Sequence, residues 1–315
     1  MITEFVEGSV LSRHQLLSAL LKDQATCYRY LLVDPLKSVR LDEPLALANI
    51  KDVFPDDEFN AILRPDLSYE PTLCPHLILL AKPGETIEPE LLDLMITRAE
   101  KERCHYKHYI CAWISSELDI QHLAEKITGL GLLLGRLMAP EKPSFFPFYE
   151  HIRLQLLKES LSVESLLSGL FNFIHRYIYI NYYDQLIEIN PADNSSNNDF
   201  LLFSQVFLQN ALQYQDEPKA TFGLVKMWQD NTQTLPPNVL FLSAKKLLET
   251  KNSGFTNLED RLAYALYCLI YQVDLISIES ISPHISAAIL APGSLKRRLE
   301  QLDNDIWVSI KQNNN

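Results

Sequence analysis

Three short, nearly unbroken apolar runs stand out early in the chain: residues 28–34, closed by Pro35, residues 75–81, and residues 108–114. Runs of this length ended by a breaker predict buried strands, and apolarity without alternation predicts cover on both faces of their sheet. A helix is predicted between the second and third runs. Pro89 suits its first turn, where a missing N–H costs nothing. Glu88, Glu90 and Asp93 gather at its start and Arg98, Lys101 and Arg103 at its end, which complements the helix dipole. Another helix follows the third run, with Ser116 and Asp119 spaced as a capping box and Leu123 and Ile127 on its apolar face. Strand–helix–strand–helix order predicts an α/β lobe with some parallel pairing. Upstream, residues 10–22 carry apolar side chains at helical spacing, with Ser9 or Ser12 as N-cap.

Farther along, residues 132–138 and 145–149 are expected as two strands around the turn 140–144, followed by helices over 152–160 and 163–171. Residues 177–180 and 185–189 read as a hairpin across 181–184, and the polar run 190–198 as a linker. Beyond it every pattern is helical. Helices are expected over 200–214 and 243–250. Leu258, Leu262, Leu266 and Leu269 form one stripe behind a Thr256/Glu259 capping box. Leu295, Leu299, Leu302, Ile306 and Ile310 form another, begun by Pro292-Gly293-Ser294. The fold class is therefore α+β or α/β: a mixed sheet covered by helices over residues 1–192, then an all-α lobe over 199–315.

Length and composition agree with two lobes. A chain of 315 residues with 47% hydrophobic and 22% charged residues is globular and needs no staple. Its net charge of −12 repels phosphate backbones, and the compact basic cluster Lys296-Arg297-Arg298 reads as a solvated helix face, so no nucleic-acid partner is expected. Five scattered cysteines fit a reducing, cytoplasmic setting. The N-terminus is acidic, without the pattern of a signal peptide. The most apolar stretch, residues 130–139, is interrupted by Arg136 and falls short of the roughly 20 residues that span a bilayer, so no membrane insertion is expected.

Candidate chemistry is sparse. Cys104, His105, His108 and Cys111 form the densest set of metal-ligand types, but no second close pair accompanies them, and zinc usually takes its four ligands from two such pairs. Gly129, Gly131 and Gly135 suggest a phosphate loop only superficially, because they follow a helix rather than a strand; a helix C-cap leading into a strand is expected instead. Asp56-Asp57-Glu58 reads as the acidic first turn of a helix after Pro55. With nucleophile motifs also missing, no catalytic residue, cofactor or metal is assigned, and the chain is expected not to be an enzyme. A hydrolase or transferase with a spatially assembled site, and a helical regulatory scaffold, stand as alternatives. Aromatic side chains crowd residues 145–149 and 177–183. Alternation puts Tyr177 and Tyr179 on one hairpin face and Ile178 and Ile180 on the other, so one face is a candidate docking surface.

Several strings, in order, resemble the effector adaptor (chaperone) family of bacterial type VI secretion. They are Leu31-Leu32-Val33-Asp34-Pro35; residues 74–80 (Cys-Pro-His-Leu-Ile-Leu-Leu); residues 113–123, a strand leading into a serine and then a leucine-rich helix; Phe148-Tyr149-Glu150-His151-Ile152-Arg153, similar to an aromatic–Asp–Pro–Arg motif that opens a helix; and residues 171–177 as a closing strand. The resemblance covers about residues 28–190. Glu150-His151 stands where that family has Asp-Pro, Arg153 falls one position late, and Lys126-Ile127-Thr128 replaces a His-Leu-Arg run. The resemblance implies a cytoplasmic adaptor, without cofactor or enzymatic activity, that binds a toxic effector and loads it onto the secretion spike protein. Phe148, Tyr149 and Arg153, with Tyr177 and Tyr179, are the candidate partner-binding residues.

Overall fold

A computed structural model describes residues 2–4, 25–142, 144–161, 164–190, 198–232 and 234–313. The helix expected over 10–22 and most of the polar run 190–198 lie outside the described residues. The chain divides into two compact units, Met1–Gln213 and Tyr214–Asn315.

The first unit is built on one seven-stranded sheet in the order β1-β7-β6-β5-β2-β4-β3. Its strands are β1 (Ile2–Glu4), β2 (Tyr28–Val33), β3 (Phe59–Ala61), β4 (His76–Ala81), β5 (Ile110–Ser116), β6 (Arg176–Ile180) and β7 (Leu186–Ile189). The three apolar runs are β2, β4 and β5, and β6–β7 is the expected hairpin. The mixed pairing expected from element order does not occur, because every adjacent pair is antiparallel. β4 and β5 do run parallel to each other across the helix α2 (Pro89–Glu100), but β2 lies between them, antiparallel to both. Strand–helix–strand order reports the direction of the two strands it joins, not whether they touch; this is a split βαβ arrangement. β1 and β3 escaped the sequence reading because three residues are too few to show a period.

Alternate residues of the central strands enter different cores. Leu32, Leu77, Leu79, Ile114, Tyr177 and Tyr179 join one with the helices α3 (Ile120–Met138), α4 (His151–Ser160) and α5 (Glu164–Leu170). Leu31, Ile78, Leu80, Trp113 and Ile178 join the other, with α2 and α1 (Leu47–Val53). The sheet is thus covered on both faces, as its unbroken apolar runs predict. Helix α6 (Asn198–Leu212), assigned from sequence to the C-terminal lobe, belongs to this unit: its Leu208, Ala211 and Leu212 enter the first of these cores.

The strands expected at 132–138 and 145–149 are absent. Leu123, Ile127, Leu130 and Leu134 recur at helical spacing on one buried face, and α3 continues unbroken to Met138. Residues 145–149 cross that helix without strand pairing. The cap of α3 is Asp119, which accepts from the His122 N–H at 3.0 Å; Ser116 instead accepts from Leu118 N–H.

The second unit is all-α, as expected: α7 (Pro218–Asn231), α8 (Val239–Asn252), α9 (Leu258–Tyr271), α10 (Ser282–Leu290), α11 (Leu295–Glu300) and α12 (Asn304–Asn313). Asn257 caps α9 by accepting from Asp260 N–H, where Thr256 was expected. The stripe 295–310 is cut in two at residues 301–303. Asp260 is 2% exposed, yet its carboxylate is satisfied by the N–H groups of Gly293 (2.6 Å) and Leu295 (2.8 Å), which ties the start of α11 to α9. Among the described residues no helix is long and apolar enough to cross a membrane.

Candidate functional site

The aromatic–Arg segment sits where α3, α4 and the sheet meet, and the glycines of α3 make room for it. Gly131 and Gly135 lie one turn apart on the buried face of α3. A methyl group at Gly135 would fall on the Ser144 carbonyl oxygen and 2.7 Å from its carbon; one at Gly131 would strike the Phe145 ring. The crossing chain also donates Phe146 N–H to the Gly131 carbonyl at 3.0 Å. The glycine run is therefore a helix face shaped for a second backbone, neither a phosphate loop nor a C-cap.

From this crossing the chain turns into α4 through a ring of charges. Tyr149 is fully buried, and its hydroxyl accepts from Arg64 Nη1 at 2.7 Å. Arg64 forks onto Asp66 through Nε (3.2 Å) and Nη2 (2.7 Å), and its guanidinium lies 5.1 Å from the centre of the Phe145 ring. Burial alone would lower the Arg64 pKa, but the bonds to Asp66 and Tyr149 raise it, so the group stays charged. Glu150, the N-cap of α4, bridges Lys107 Nζ (2.9 Å) and Arg153 Nε (3.0 Å), and Arg153 lies 5.2 Å from the Phe146 ring centre. Asp34, just after β2, is 1% exposed and accepts from Leu36 N–H at 3.0 Å; burial pushes its carboxyl up to about 6 despite that bond and the nearby Lys107.

Beside this ring two imidazoles are stacked. The His108 and His151 rings lie 3.5 Å apart at their centres and 6° from parallel, both buried. Burial drives the His108 pKa down to about 3 and holds His151 well below the usual histidine value. One nitrogen of each, His108 Nε2 and His151 Nδ1, has no hydrogen-bond partner among the described residues. Two neutral rings stack at this distance; two imidazoliums would repel.

Four of the five candidate partner-binding residues are corrected by this geometry. Phe148, Tyr149, Tyr177 and Tyr179 are each at most 1% exposed. Phe148 packs edge-on against Phe171 at 5.7 Å, Tyr177 tilts against Phe171 at 4.8 Å, and the Tyr179 hydroxyl donates to Gln155 at 3.1 Å. Alternation assigned one hairpin face to solvent, but helices cover both, so these rings are core. Arg153 is partly exposed at 18% and is engaged by Glu150. The set is brought together, as a joint rather than as a docking face. Arg64 and Lys107, which complete the joint, were missed. Neither stands near Tyr149 or Glu150 in sequence, and no local pattern marks them.

The metal-ligand types also separate. Cys104 is exposed with a left-handed φ of 59°, Cys111 is buried, and among the described residues no three His, Cys, Asp or Glu side chains are placed to hold one ion. Open concave surface occurs in the second unit. One cleft of about 820 Å³ is lined by Trp228, Lys246, Cys268 and Asp274, and another of about 740 Å³ runs along α9. Comparison of the chain with protein-family models, with curated proteins and with solved structures finds no match in any of the three.

Proposed function

We propose that this protein is a cytoplasmic adaptor of bacterial type VI secretion, which grips an effector and presents it to the spike protein. One observation carries the reading. The strings that resemble the adaptor family are scattered over more than 140 residues, yet they form one contiguous block. Residues 31–35 run through the end of β2, 74–80 lead into β4, 113–123 span the end of β5 and the start of α3, and 171–177 lead into β6; these are four neighbouring strands in the order β6-β5-β2-β4. Residues 148–153 enter α4 against that block. Resemblance confined to a core scaffold is what a shared architecture produces, with the partner-specific surface left to vary around it.

The chemistry of the joint supports the same reading. Burial shifts the pKa values of His108, His151 and Tyr149, and side chains this enclosed hold elements together. Effector and spike contacts of standard size, about 1,200–2,000 Å² each, then have to come from the outer surface. The test is genetic. Deleting the gene in its own bacterium should abolish delivery of the cognate effector while the secretion machine still fires, and a plasmid copy should restore it. Unchanged delivery of every effector would refute the role.

A further inference from the structure

The α9 cleft has a floor of apolar residues set at helical spacing. Leu262, Leu266 and Ile270 recur at i, i+4 and i+8 along one side of the helix, each only half-buried. Met227 from α7 and Tyr267 complete the floor, and the lining runs from Glu259 in the first turn of α9 to Tyr271 at its end. That is about 18 Å of groove at 1.5 Å per residue, the length of three helical turns. The spacing of its floor matches the spacing of anchors on a docked amphipathic helix. Methionine adds a side chain that reshapes easily around a guest.

The rim says what charge the guest carries. Two basic residues stand there, Lys311 at 5.4 Å from the centre of the Tyr271 ring and Lys296 at 4.0 Å from Glu300, against the carboxylates of Asp230, Glu259 and Glu300. Buried Asp260 is consumed by the backbone of residues 293 and 295. The exposed carboxylates of Asp230, at the end of α7, and Glu259, at the start of α9, have no hydrogen-bond or ion-pair partner among the described residues. Asp230 also stands at the negative end of its helix dipole, where an acid is unfavourable unless a cation joins it.

We infer that the α9 groove is a docking site for an amphipathic helix of a partner protein, three to four turns long, with an apolar stripe flanked by lysine or arginine. The inference does not depend on the secretion role, since the groove selects a helix by shape and charge whatever protein carries it. It is tested on the full chain with a designed 16-residue helical peptide, with leucine at i, i+4, i+7 and i+11 and lysine on both flanks, and with an analogue that has glutamate in place of lysine. Binding is read by fluorescence anisotropy at physiological salt.

The lysine peptide should bind at least tenfold tighter than the glutamate peptide. Because the whole chain carries −12, and most of that excess precedes residue 214, general attraction has to be separated from the groove. The Asp230→Asn/Glu259→Gln variant changes only exposed residues and should reduce the preference to threefold or less. Leu266→Glu, checked for an unchanged helical circular dichroism spectrum, should weaken both peptides at least tenfold. No binding at millimolar peptide, or a preference untouched by the rim variant, would overturn the site. So would light scattering that shows a dimer abolished by Leu266→Glu, because a second copy would then fill the groove.

Discussion

Substituting Gly135 by alanine tests the crossing that positions the aromatic segment. The added methyl would lie 2.7 Å from the Ser144 carbonyl carbon and 3.3 Å from Phe146 N, and directly on the Ser144 oxygen. Carbon–carbon contacts settle at about 3.5–4.0 Å, so the crossing chain has to withdraw by roughly 1 Å or more. Overpacking of this kind costs about 1–3 kcal/mol, and here the obstacle is backbone, which cannot rotate away. Withdrawal also strains the Phe146 N–H bond to Gly131, worth about 1 kcal/mol. Against this stands about 1 kcal/mol gained by replacing glycine inside a helix. The net expectation is a loss of about 1–3 kcal/mol, or roughly 2–12 °C in Tm for a unit of this size. Gly129, six residues earlier on the same helix, meets nothing within 4 Å. Gly129→Ala should therefore raise stability by about 0.5–1 kcal/mol. Urea unfolding by circular dichroism, with peptide-resolved hydrogen exchange over residues 130–153, reads both variants. Equal effects of one sign would contradict the crossing geometry.

Tyr149→Phe leaves the buried Arg64 Nη1 without its acceptor and should cost about 1–3 kcal/mol in urea unfolding. Asp260→Ala strips two amides of a buried carboxylate and should cost about 3 kcal/mol, with lost hydrogen-exchange protection centred on residues 293–300. Asp119→Ala removes the α3 cap at about 1 kcal/mol, read as earlier thermal unfolding of the first unit. Stability should also fall in acid. His108 (about 3), His76 (about 4) and His151 titrate below the ordinary histidine value of about 6.5 in the folded state, so the unfolded chain takes up their protons first. Their contribution is complete above about pH 6.5 and is lost as pH falls, down to about 4 for His76 and about 3 for His108, by a little over 1 kcal/mol per pH unit for each of these two. Asp34, raised to about 6, acts oppositely: its contribution is present below its unfolded pKa near 4 and lost as pH rises through 6, so it blunts the slope without reversing it. His108→Gln/His151→Gln should flatten the urea-midpoint profile between pH 4 and 6.5, and an unchanged profile would remove the stacked pair as its cause.

How far the fold could be read in advance follows from what local sequence encodes. The runs that became β2, β4 and β5 announced both strand and double cover, because alternate side chains such as Leu77 and Ile78 enter opposite cores and neither face needs polar residues. Pairing was not legible. Nothing within β4 or β5 states that β2 will lie between them, since that choice is made by contacts far apart in sequence. The Gly129–Gly135 stretch was misread for a related reason: glycine ends helices more often than it fills them, and only the crossing chain explains its presence at 131 and 135. The aromatic residues offered one face as core and one as a docking surface, and the structure buries both. Tyr177 and Tyr179 alternate with Ile178 and Ile180, and a period of two cannot say whether the tyrosine face meets water or a helix layer.

The proposed role is tested most directly by reconstitution from purified full-length components. Mixed with the cognate effector and the spike protein, the chain should co-elute with both in one size-exclusion peak, and the effector should fail to join the spike when the chain is omitted. An effector that loads onto the spike equally well without it, or a chain that elutes apart from both, would contradict the adaptor reading.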